Sequence, residues 1–158
     1  MPIVDICVIA AVVGLDFAGR MYPNGAPIQD AAQAPRLVRL LAQIGRPLTY
    51  RTDVPLAHVA GTPELRAWDA VIAGHEERTG VELETRITDM QATTRRHNLK
   101  RVDDRVDHFL LVVADTRHNR LVMREFASLL GDLPHLRTAD VLSCLRAGKH
   151  PPTGWTFL

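Results

Sequence analysis

The sequence predicts an α/β domain in which a mixed sheet is flanked by helices. Three observations carry that prediction. Residues 108–115, "HFLLVVAD", are apolar almost throughout, as in a central strand covered on both faces. Leu37, Leu40, Leu41 and Ile44 recur at helical spacing. Residues 67–73 and 80–87 sort polar and apolar side chains with period two around a polar turn, the pattern of a hairpin.

The elements follow in order. Residues 4–13 read as a short buried helix and 15–23 as an extended segment ending at Pro23, before the turn "NGAP" (24–27). An amphipathic helix spans Gln29 to Ile44, or starts at Pro35, because proline is tolerated in a first turn. Residues 48–57 form a strand and 59–65 a loop; the hairpin strands 67–73 and 80–87 come next, joined by "GHEERT". A helix begins at Thr88, with Asp89 in its first turn, and runs to about Arg101. After the apolar strand 108–115, helices are expected at 117–132, closing near Gly131, and at 138–147, with a terminal strand at 154–158. From Gln29 onward the order is helix, three strands, helix, strand, helix, helix, strand.

Composition narrows the class. A chain of 158 residues is one domain able to bury a core without disulfides or a structural metal. Its formal net charge of +1 excludes a global electrostatic pull towards nucleic acid or membrane. Cys7 and Cys144 are too few and too scattered for a zinc site or disulfide framework, so a reduced, cytoplasmic compartment is expected. The apolar run 6–15 is too short to span a bilayer, and it follows Asp5 with no basic residue before it. Neither a membrane span nor a secretory signal is expected. The chain has no GxSxG, Walker or HExxH motif, which argues against serine hydrolase, P-loop and zinc chemistry.

The hairpin carries the chemistry. If residue 73 pairs with 80, Asp69 lies opposite Glu84 and diagonal to Glu82. Asp69, Val71, Glu82, Glu84 and Arg86 then share one face; Trp68, Ala70, Ile72, Val81, Leu83 and Thr85 share the apolar one. Each opposed pair of like charges costs about 0.2–1 kcal/mol, so a cation must compensate. One option is magnesium, which takes one or two carboxylates with retained waters and can activate water against a phosphodiester. The other is neutralisation by Arg86 and nearby arginines on a solvated face.

An acid on one strand, a turn, an acid–x–residue pair on the next strand and then a helix resemble the PD-(D/E)XK nucleases, the restriction-endonuclease-like proteins. The family's core runs helix, three strands, helix, strand (αβββαβ), as predicted here from Gln29 to Asp115. The resemblance implies one domain over 1–158: an N-terminal extension (1–28), the core (29–115), and C-terminal helices with a terminal strand (116–158). It implies Asp69 and Glu82 as magnesium ligands. Glu84 stands where the family places a lysine that orients the attacking water, a departure shared with a minority of restriction enzymes. Trp68 replaces the motif proline. On this resemblance Glu84 helps to activate water, and Gln91 or Arg95 on the following helix steadies the phosphate. Exposed helix residues are the alternative for Gln91 and Arg95.

A second resemblance covers more of the chain. "VGLDFAGRMYPNGAPIQDAA" (13–32), "RTDVPL" (51–56), "RAWDAVI" (66–72), "GVELETRITDMQ" (80–91) and "LLVVADTRHNR" (110–120) are similar to the C-terminal region of bacterial helix-turn-helix regulators. The twelve residues before Val13 are too few for a helix-turn-helix. This resemblance implies a non-catalytic regulatory or dimerisation module, with a second copy or a helix-turn-helix protein as partner.

Further candidates lie outside the hairpin. Lys100 can replace the missing motif lysine from the helix, but at 100° per residue it faces opposite Gln91. Arg96 shares its face, and the two are candidates for phosphate contacts on DNA, against a plain solvated basic face. Asp115, Arg117, His118 and Asn119 follow the apolar strand, where α/β sheets place ligands, and Arg117 and His118 are candidates for nucleic-acid contacts, although Asp115 or Thr116 also suits a helix N-cap. Two readings stay open: a magnesium-dependent nuclease, and a non-catalytic module.

Overall fold

The computed structural model describes residues 33–56 and 66–158. The predictions for 4–13, 15–23, 24–27 and 59–65 lie outside the described residues. Within them one mixed sheet holds β1 (Thr49–Pro55), β2 (Ala67–Gly74), β3 (Glu77–Glu84), β4 (His108–Val113) and β5 (Gly154–Phe157), in that spatial order. β1–β2 and β2–β3 pair antiparallel; β3–β4 and β4–β5 pair parallel. The helices are α1 (Ala34–Leu41), α2 (Met90–Asp103), α3 (Arg117–Phe126) and α4 (Thr138–Arg146), and a 3-10 turn (Ala127–Leu130) extends α3. The predicted α/β class and element order therefore hold over the described chain. None of the described helices is long and apolar enough to cross a membrane.

Each sheet face has its own core. Leu37, Leu40 and Leu41 of α1 and Val141 and Leu145 of α4 pack on Ala70, Ile72, Val81, Leu83, Leu110 and Val112. The opposite core joins Met90, Met123 and Leu130 to Trp68, Val71, Phe109, Leu111 and Val113. β4 is buried almost throughout because both faces are covered, which explains its continuous apolar run.

The helix ends follow local chemistry. Pro35 sits in the first turn of α1. Asp89 caps α2 by accepting from the Ala92 N–H, and Thr116 caps α3 by accepting from Asn119. Gly131, at φ 65°, ends the turn after α3 in a conformation that suits glycine.

The hairpin differs from expectation in one respect. His75 and Glu76 both take positive φ (53° and 64°), so a two-residue turn closes it. The register is Ala73↔Arg78 and Ala70↔Val81, which brings Asp69 level with Glu82 rather than Glu84. A shift of two residues preserves the alternation, so Glu82 and Glu84 keep their predicted face, but β3 ends before Arg86, which is exposed. No Asn-Gly or Gly-Gly pair announces this turn, so residue type alone does not reveal its length.

Trp68 is the second departure. Strict alternation puts it with Ala70 and Ile72, yet it packs with Val71 and Phe109 on the α2 side. The strand is irregular there: Asp53, which faces Asp69 across β1–β2, has φ 51°, and the Leu83 N–H is taken by the Asp69 side chain. Room for the indole comes from Gly80, where a Cβ would lie 3.2 Å from the ring. Gly80→Ala should therefore lower unfolding free energy by about 1–3 kcal/mol in urea titrations, the usual cost of overpacking. An unchanged midpoint would mean that the indole can move aside.

Candidate functional site

α2 has an inverted face. Its buried positions are Met90, Thr93, His97 and Lys100, followed by Asp104 at its end, at alternating spacings of three and four. A helix normally turns such a stripe of apolar residues inward. Here the stripe is mostly polar, while Leu99 and Val102 stay 51% and 75% exposed. The polar stripe lies against the acids of β2 and β3.

Lys100 is the centre of this contact. It is 7% exposed, and its Nζ donates to both Glu82 oxygens at 2.8 Å and to the Ala67 carbonyl at 2.7 Å. The same ammonium lies 5.8 Å from the centre of the Trp68 ring. The indole in turn donates to Asp104 Oδ2 at 2.7 Å, and Arg78 reaches the other oxygen of Asp104. His97, buried between the two glutamates, sets Nε2 3.0 Å from Glu84 Oε1 and Nδ1 3.5 Å from Glu82 Oε2. Neither nitrogen is aligned for a hydrogen bond, and the two contacts are ion pairs when the ring is protonated. Arg96 contacts the same Glu84 oxygen from the solvent side.

Two of the three acids, Glu82 and Glu84, thus meet three basic side chains from one helix. Burial opposes charging of His97, but Glu82 and Glu84 outweigh it and raise its pKa. Burial acts to raise the Glu84 pKa too; His97 and then Arg96 overcome it and leave that pKa lowered. Asp69 has no direct cationic partner among the described residues. Burial first, and then the charge of Glu82, push its pKa up to about 6, against the Leu83 N–H and the more distant Lys100.

A magnesium ion here would compete with the cations of α2. Such an ion needs carboxylate oxygens with free lone pairs turned towards a common point. Lys100 occupies both oxygens of Glu82, and Glu84 serves His97 and Arg96. Among the described residues no group of three or more His, Cys, Asp or Glu is set to hold a metal.

The fold brings Asp69, Glu82 and Glu84 together, with Lys100 and Arg96 beside them. Gln91 and Arg95 do not join them. Both are exposed on the side of α2 away from its buried stripe, where they border a shallow apolar groove with Leu99, Val102 and Leu129. Lys100 is buried in an ion pair instead of lying on a solvated basic face. Sequence reasoning missed His97. The signal for it is its place four residues after Thr93 and three before Lys100, on the stripe that meets the acids.

Of the residues after β4, Asn119 is structural: fully buried, it accepts from the Ile87 N–H and donates to the Thr85 and Ala114 carbonyls. His118 donates to the Ile87 carbonyl at 2.8 Å, Asp115 pairs with Arg120, and Arg117 is exposed. No family model, curated protein or solved structure matches this chain.

The charges of the cluster can be tested by stability measurements. Lys100→Met strands Glu82 in the interior and should cost about 3–5 kcal/mol, whereas Lys100→Met with Glu82→Met should regain most of that loss. A double-mutant cycle by denaturant unfolding checks this, and additive losses would mean that the pair is not coupled. A second test concerns pH. Asp69 holds its proton more tightly folded than unfolded, so its contribution to stability falls as pH rises from about 4 to about 6. Asp69→Asn should match the wild type near pH 4 and exceed it above pH 6, by up to about 3 kcal/mol. Parallel stability curves for the two proteins would show that Asp69 is not perturbed.

Proposed function

We propose that this chain is a non-catalytic regulatory module of nuclease-like architecture. One observation carries the proposal: Glu82 and Glu84 already have partners on α2, Lys100 on both oxygens of Glu82 and His97 with Arg96 on Glu84. The architecture is supported by the order from α1 to β4, which is helix, three strands, helix, strand. The level placement of Asp69 and Glu82 on neighbouring strands supports it as well. The regulatory part rests on the resemblance to the C-terminal region of helix-turn-helix regulators. A second copy or a helix-turn-helix protein is the partner which that resemblance implies.

Calorimetric titration with magnesium and manganese, together with cleavage assays on single- and double-stranded DNA, tests this. The expected result is no metal binding at millimolar concentration and no cleavage. Metal-dependent cleavage that is lost in Asp69→Asn would overturn the proposal. It would restore the nuclease reading, with Lys100 in the place of the motif lysine.

A further inference from the structure

We propose that the carboxyl end of the sheet binds the phosphate backbone of a single-stranded nucleic acid. Two clefts adjoin there, of about 960 and 720 Å³, and Asp115 and Phe157 line both. Arg36, Arg39 and Arg146 line the first; Arg117, Arg120 and Arg124 line the second. Asp115 is the one acidic side chain among the described residues that line them, and Arg120 engages both its oxygens. Arg39, Arg117, Arg124 and Arg146 therefore meet no carboxylate of the cleft walls that is not already engaged.

Position and shape point to the ligand class. The clefts lie outside the carboxyl ends of the parallel strands β4 and β5, where α/β sheets bind ligands. Guanidinium groups present forked donors that match phosphate oxygens. Two adjoining basic concavities suit a flexible strand, whose backbone follows the charge. Phe157 stands at that seam, with the Arg120 guanidinium 5.2 Å from its ring centre. A rigid duplex has less access to such hollows. The clefts belong to the end of the sheet and not to the acid cluster, so binding there does not rest on the non-catalytic reading.

The test is fluorescence anisotropy with a labelled oligothymidylate and the full chain, over a range of salt. Binding should weaken linearly on a log–log plot. Arg39→Gln with Arg146→Gln, and separately Arg117→Gln with Arg124→Gln, should each flatten that slope by about 1.4, from about 0.7 per lost phosphate contact on a single strand. Arg105→Gln, at the amino end of β4, should leave the slope unchanged. Each pair removes exposed side chains, and thermal melts confirm that the variants fold. No binding at low salt, or undiminished binding in both paired variants, overturns the proposal. So does a duplex, or inorganic phosphate alone, that binds as tightly as the oligonucleotide.

Discussion

The buried pair between Lys100 and Glu82 is the constraint on which the α2 side of the fold depends. A buried ion pair is a weak source of net stability, because desolvation offsets most of the attraction. Its strength lies in how little else it tolerates. The ammonium satisfies two carboxylate oxygens and a backbone carbonyl at once, which fixes both the rotation and the height of α2 over β3. Once α2 is fixed, His97 lies over Glu84, and Asp104 lies within reach of the Trp68 indole. The exposure of Leu99 and Val102 is the other side of the same choice: with polar residues turned inward, the apolar ones face out.

Asp69 is the member of the cluster that the cations serve least. Its carboxylate replaces a ladder partner by accepting from the Leu83 N–H at 2.7 Å, so it is structural as well as acidic. That bond ties β2 to β3 at the point where Trp68 leaves the regular alternation. Burial is the larger cause of the raised Asp69 pKa, and the neighbouring charge of Glu82 adds to it.

Much of this is legible in the sequence. The apolar run of β4 and the spacing of Leu37, Leu40 and Leu41 are signals of burial, and burial dominates their placement. The acids of β3 fall on one face under either register, because a shift of two leaves alternation intact. The turn is not legible, since His75 and Glu76 adopt left-handed backbone without a glycine to announce it. Nor is the inward face of α2. Helical periodicity is read from apolar residues, and here it is carried by Thr93, His97 and Lys100. Only the acids opposite give those residues a reason to be buried.

Net charge is the least informative quantity, and the fold shows why. A total of +1 suggests a surface without electrostatic preference. Yet Glu82, Glu84 and Asp104 are drawn into contacts with α2, Trp68 and Arg78, where they contribute little field outside. Their charge is matched at short range, in part by buried cations. Among the described residues, the arginines at the carboxyl end of the sheet have no comparable set of acids in the clefts they line. A nearly neutral chain can therefore carry clefts that are locally basic, because folding decides which charges remain visible to solvent.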